Sequence, residues 1–164
     1  MKKAKKIKVG IEKVNKVYHI ADVHIRNLKR HKEYREVFSH LYGYILTTME
    51  ENDIIYIAGD IVHAKTDMSP EVVDLTQEFF TRLADLLPTI VIPGNHDANL
   101  NNTSRLDALT PIVNALNHPN LFYLKDSGVW SLGDLTIVHQ SVWDNSPGFP
   151  LASEVQGDVK IGVF

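Results

Sequence analysis

The sequence predicts an α/β fold in which parallel strands carry polar loops to one edge of a sheet. Three observations predict it. Runs rich in β-branched and aromatic residues, Val17-Tyr-His-Ile-Ala21, Ile54-Ile-Tyr-Ile-Ala58 and Thr89-Ile-Val-Ile92, recur along the first hundred residues. Helical periodicity fills both intervals between them. Each run then ends in a cluster of Asp, His, Asn or Gly. This β-α-β-α-β order is the pattern of a sheet with crossover helices, and open α/β sheets place their sites beyond the carboxyl ends of the strands.

Composition narrows the function classes. With 164 residues and 44% hydrophobic content the chain can bury one sizeable core, so one domain is expected. No run approaches the roughly 20 apolar residues of a membrane span. The lysine-rich start leads into no apolar signal-peptide core, so an intracellular rather than secreted protein is expected. Zero cysteines exclude disulfides and thiolate metal sites, leaving oxygen and imidazole ligands. The net charge of −3 hides an asymmetry: residues 1–16 carry seven lysines and one glutamate, leaving −9 on the rest. That basic arm has two readings, a contact for phosphate backbones or an edge strand guarded by lysines. The acidic remainder argues against a broad DNA-coating surface and fits a metal site built from carboxylates.

Taken in order, Ile7–Ile11 reads as an edge strand. In Val17–Ala21 and the following Asp22-Val-His24, strand alternation would point Asp22 and His24 to one side, with Cα atoms about 7 Å apart. That suits a carboxylate and an imidazole converging on one ion. The loop Ile25–Lys32 carries Arg26, Lys29, Arg30 and Lys32, either to steer a nucleic-acid backbone or as an ordinary charged helix entry. Glu33–Glu51 is an amphipathic helix with Tyr34, Val37, Phe38, Leu41, Ile45 and Met49 on its apolar face and His40 on its polar one. After Ile54–Ala58 come Gly59, Asp60 and His63, with Asp60 placed to reach the same ion and bridge to a second. Ser69-Pro70-Glu71 starts a helix, with serine as N-cap and proline at the first helical position, and Pro88 ends it. Thr89–Ile92 is a short buried strand that Pro93 stops. Gly94 then lets the backbone turn and approach a ligand closely. In that turn Asn95 can offer its amide oxygen to a metal while His96 faces a substrate. Asp97 either orients the imidazole or closes the turn.

Asn99–Ser104 is a polar loop, and Leu106–Leu116 reads as a helix that Pro111 kinks or divides. Strands follow at Leu121–Leu124, Val129–Leu132 and Leu135–His139, the last two joined by a hairpin at Gly133-Asp134. Trp130 and Trp143 read as sheet-covering residues. His139 ends an apolar run as the proposed ligands do, and is either a further ligand or a structural histidine. Lys160–Phe164 looks like the opening of a buried strand.

The order DxH, GDxxH, GNHD, carried by Asp22/His24, Gly59/Asp60/His63 and Gly94–Asp97, resembles the first three motifs of the calcineurin-like metallophosphoesterases. Protein phosphatases of that superfamily read GDxxDRG. GDxxH is instead similar to the SbcD-type nuclease subunits that process DNA double-strand ends, and to their phage counterparts. The specific motifs span Val17–Asp97. The resemblance implies a metallo-dependent phosphatase-like β-sandwich flanked by helices. It implies two divalent ions, Mn²⁺ before Mg²⁺, Fe²⁺ or Zn²⁺, with Asp22 and His24 on the first, Asp60 bridging and Asn95 on the second. A water between such ions ionises near neutrality and attacks phosphorus in line. His96 would stabilise or protonate the leaving oxygen, supported by His63, and Arg26, Lys29 and Arg30 would meet the substrate. The implied activity is exonuclease and endonuclease hydrolysis of DNA in recombination and repair. The implied partners are a coiled-coil ABC-type ATPase of SbcC type and a second copy of the chain. The family pattern continues with a strand ending in His-Gly and a later Gly-His-x-His, and neither occurs here. Residues 17–164 are therefore expected to be the amino-terminal part of such a domain, behind a 1–16 arm or edge strand, with weak activity alone. Two further readings stand beside this one: a phosphoesterase for nucleotides or other small phosphoesters, and a catalytically incomplete binding or scaffold module.

Overall fold

A computed structural model describes residues 4–102, 104–146, 150, 152–157 and 159–163. The chain runs β1 (Lys5–Lys6), β2 (Val17–Ile20), α1 (His31–Thr48), β3 (Ile54–Ala58), α2 (Pro70–Leu86), β4 (Thr89–Ile92), α3 (Leu109–Leu116), β5 (Leu121–Tyr123), β6 (Gly128–Leu132), β7 (Leu135–His139), a short 3₁₀ turn (Ala152–Glu154) and β8 (Val159–Val163). Two four-stranded sheets form, ordered β2-β3-β4-β5 and β1-β6-β7-β8. The first is parallel throughout, with Ile20 opposite Ile57, Ala58 opposite Ile92 and Val91 opposite Tyr123. In the second, β6 and β7 are the expected antiparallel hairpin turned at Gly133, while β8 joins β7 in parallel.

Alternation along β3 and β4 makes the layers. Ile55, Ile57 and Val91 face the helices and pack with Phe38, Ile45, Leu75 and Phe79. Ile54, Tyr56, Ile90 and Ile92 face the second sheet and pack with Ile7, Leu132, Leu135 and Ile137. A strand covered on both faces reads as a continuous apolar run, which is why these two carry no polar alternation. Phe79 and Phe80 are fully buried, and each such side chain stabilises the fold by about 1.5–3 kcal/mol. The result is the expected α/β class, two sheets with three helices.

Helix starts follow local chemistry. Ser69 accepts from the Val72 N–H and Pro70 takes the first helical position of α2, as expected. Helix α1 begins at His31 rather than Glu33 and ends at Thr48, and Val37, expected on its apolar face, is 61% exposed. Helix α3 begins at Leu109 rather than Leu106, because Asp107 accepts from the Leu109 and Thr110 N–H groups and so fixes the start. Pro111 then lies in the first turn, where no N–H is required, and neither kinks nor divides the helix.

The edges depart furthest from expectation. Strand β1 is Lys5–Lys6, paired to Trp130 and Ser131, not Ile7–Ile11. Ile7 instead drops into the core, its N–H bonded to the Ser131 carbonyl. Lys5 stands 4.8 Å above the Trp130 ring, a lysine-guarded edge. Strand β5 adds to the parallel sheet before the antiparallel hairpin begins. The expected buried strand at 160–164 is β8 over its described residues, an exposed edge with only Val163 half-buried.

Candidate metal centre

All four strands of the first sheet run the same way, so the loops after β2, β3 and β4 leave at one edge. Hydrogen bonds tie those loops together. The His24 and Ile25 N–H groups donate to the Asp60 and Ile61 carbonyls, and the His63 N–H returns to Ile25. Asn27 donates to Asp67 at 2.6 Å, and Lys65 to the Asn95 carbonyl at 3.1 Å.

At that edge two groups of side chains converge. Asp22, His24 and Asp60 each offer a ligand atom within 4.8 Å of the others, and so do His24, His63 and His96. His24 Nε2 lies 3.6 Å from Asp22 Oδ1 and 3.8 Å from Asp60 Oδ2. Donors around one ion at about 2.1 Å stand about 3–4 Å apart, so the carboxylate–imidazole set fits a divalent cation. The rings of His24 and His96 meet edge-on at 4.6 Å, and His63 stacks on His96 at 5.7 Å. Three imidazoles and two carboxylates thus gather at one edge, with His24 common to both groups.

The route to convergence differs from the expected one. Asp22 and His24 do not alternate along a strand, since β2 stops at Ile20. Asp22, His24 and Asp60 instead adopt left-handed φ angles of 54°, 50° and 54°. A non-glycine residue held there costs about 1–3 kcal/mol and persists only where its surroundings fix it. At Asp60, Gly59 and Gly94 make room for it: a Cβ on Gly94 would collide with the Asp60 carboxylate and backbone, and one on Gly59 with the Gly94 backbone.

Asp97, left between two roles by the sequence, is fully buried and turns away from the imidazoles. Its carboxyl accepts N–H bonds from Ile61, Val62 and Gly94, closing its own turn and clasping the loop after β3. Burial pushes it up to about 6, against the pull of those N–H groups. The imidazole is oriented by His63 instead: the His63 carbonyl lies 2.7 Å from His96 Nδ1. A carbonyl only accepts, so Nδ1 carries the proton and Nε2 is the free nitrogen. Asp60 divides its carboxylate, Oδ1 accepting the His96 N–H at 2.9 Å and Oδ2 facing His24.

A profile of the calcineurin-like phosphoesterases matches residues 15–160. The chain belongs to that family. Calcineurin-like phosphoesterases generally hold divalent metals, and the Asp/His donor set described above suits one. The chain is 48% identical over 131 residues to "Uncharacterized protein R555" of Acanthamoeba polyphaga mimivirus, an alignment covering 79% of this chain and 10% of that protein. Among solved structures it is similar to the Pseudomonas putida nuclease MPE, at 20% identity and TM-score 0.43 over 76% of this chain and 53% of that one. It is also similar to the Aquifex aeolicus protein of unknown function AQ665, at 18% identity and TM-score 0.38 over 76% and 61%. The chain thus spans 10% of the viral relative and 53% and 61% of the two solved chains.

Around the centre of this phosphoesterase domain the remaining expected residues are distributed unevenly. Asn95 is exposed on the loop between Gly94 and His96, its carbonyl held by Lys65. Arg26 and Lys29 are exposed beside His63; desolvation, then the Arg26 charge, the His24 and His96 rings and Lys29 hold that imidazole below the usual histidine range. Arg30 turns aside to pair with Glu33. His139 is 1% exposed and pairs with Gly128 across the hairpin. It belongs to neither converging group among the described residues. No helix among those residues is long and apolar enough to cross a membrane.

Proposed function

We propose that the domain hydrolyses DNA phosphodiesters through a divalent-metal centre in the manner of SbcD-type nuclease subunits. The convergence of Asp22, His24 and Asp60, flanked by His63 and His96, carries this reading. Bound there, divalent cations supply charge neutralisation and a hydroxide at neutral pH, for which manganese suits the oxygen and imidazole donors. Asp22 and His24 would hold a first ion, Asp60 would be shared with a second, and Asn95 would offer its amide oxygen to that second ion. His96, its ring oriented by the His63 carbonyl at Nδ1, would act on the leaving oxygen from Nε2 in its doubly protonated form, giving that proton to the oxygen. Arg26 and Lys29, flanking His63, supply positive charge on the approach for a phosphate backbone. The SbcC-type ATPase and a second copy of the chain go with this reading as partners.

Linear duplex DNA and a small aryl phosphodiester, each incubated with the chain and Mn²⁺, test it. Slow shortening of DNA in preference to the small diester is expected, and Asp60→Asn abolishes it. Hydrolysis of the small diester with DNA intact would overturn the nuclease reading in favour of a small-molecule phosphoesterase. Metal binding with neither reaction would favour a scaffold.

A further inference from the structure

The His24 peptide is pinned from both sides. Its N–H donates to the Asp60 carbonyl at 2.9 Å, the last link between the loops after β2 and β3 before the ladder passes to Ile25. Its carbonyl points off that ladder, and the Tyr34 hydroxyl donates to it at 2.6 Å. Tyr34 comes from the first turn of α1, ten residues on, and its own position is set. Its ring lies 5.8 Å from Phe38, which packs on the fully buried Phe79, and its N–H donates to the Arg30 carbonyl. The residue it holds is one of three candidate ligands kept in left-handed backbone. Between Tyr34 and Asp22 lies a largely apolar groove of about 390 Å³, which Ile20, Val23 and Phe38 line together with the Arg30–Glu33 pair.

We infer that Tyr34 is a positioning residue for the metal centre: its hydroxyl fixes the His24 peptide so that the imidazole meets Asp22 and Asp60 before any ion arrives. The inference rests on the metal-centre reading above and adds a residue outside the three motifs. Pre-set ligand geometry matters because metal affinity falls when an outer partner stops orienting a ligand, typically 10–100-fold. Tyr42 provides a comparison on the same helix. It packs on the same aromatic cluster through Phe38 and Phe79, but its buried hydroxyl has no hydrogen-bond partner among the described residues.

Mn²⁺ titration followed by electron paramagnetic resonance, with amide hydrogen exchange of the metal-free protein, tests this on wild type, Tyr34→Phe and Tyr42→Phe. Tyr34→Phe is expected to weaken Mn²⁺ binding at least roughly 10-fold. It should also speed exchange at the His24 and Ile25 amides while β4 stays protected. Tyr42→Phe should match wild type in both. Unchanged Mn²⁺ affinity in Tyr34→Phe, or an equal loss in Tyr42→Phe, would overturn the role of the hydroxyl while leaving the metal centre intact. A wild type that binds no Mn²⁺ would overturn the metal-centre reading and this inference with it.

Discussion

The two sheets share one core but use it differently. In the parallel sheet, β3 and β4 are covered on both faces, and the loops after β2 and β3 hold the left-handed Asp22, His24 and Asp60. In the mixed sheet, β1 is two residues long, β8 is an exposed edge, and no metal-ligating group gathers among the described residues. Asp60 follows the doubly covered β3, and the His24 N–H bonds to the Asp60 carbonyl, so these left-handed residues sit where the surroundings over-determine the backbone, the condition under which such strain persists. The mixed sheet closes the core from the other side, and its own turn uses a glycine for its left-handed residue.

The largest effect that would sharpen this contrast is at Asp60. Asp60→Asn keeps an Oδ1 to accept the His96 N–H but loses the oxygen facing His24. Metal affinity should fall beyond the roughly 10–100-fold cost of an outer partner, with the melting temperature of the metal-free protein preserved. Asp97→Ala comes next. It strips three buried N–H groups of their acceptor, so unfolding stability should drop by about 2–4 kcal/mol in denaturant titration, and the loops after β3 and β4 should lose register together. Gly94→Ala and Gly133→Ala form a matched pair. The first drives a Cβ into Asp60 and should lose metal binding. The second meets the Glu12 carbonyl at a φ of 56° and should cost about 1–2 kcal/mol while leaving metal binding alone.

Acid titration of the metal-free protein separates the sheets by sign. Asp97 is raised from 3.8 to about 6, so the stability tied to its protonated form is complete below about 4 and lost as pH rises through 6. That amounts to about 3 kcal/mol, which Asp97→Asn should remove from the pH dependence. His139 is lowered from 6.5, first by burial, against the Lys125 backbone and the Asp126 charge. Its stability is complete above 6.5 and declines as pH falls below that value, because the unfolded chain takes the proton first. His139→Gln should flatten this second slope and leave the first. Identical pH profiles in the two variants would break the comparison.

What the sequence made legible follows the same division. Thr89–Ile92 and Ile54–Ala58 announce themselves because strands buried on both faces cannot alternate, and Ser69-Pro70 announces α2 because capping is local. Asp22, His24, Asp60, His63 and His96 could be nominated because each follows a strand. Their geometry could not be read in advance: the left-handed φ values depend on bonds from another loop, and Asp97 finds its N–H donors about 36 residues away. Tyr34 gave no signal, since a tyrosine at a helical core position looks the same whether or not its hydroxyl has work to do. In the mixed sheet, Ile7–Ile11 looked like a strand because apolar alternation does not say which residue leaves the ladder for the core.

The most direct test of the central claim is a Mn²⁺ titration of the wild-type chain and Asp60→Asn by electron paramagnetic resonance, at a pH where both are folded. Saturable binding by the wild type is expected, with its loss or severe weakening in Asp60→Asn and unchanged melting of the metal-free proteins. Equal Mn²⁺ binding by the two would contradict it, because the convergence of Asp22, His24 and Asp60 would then not be a metal centre.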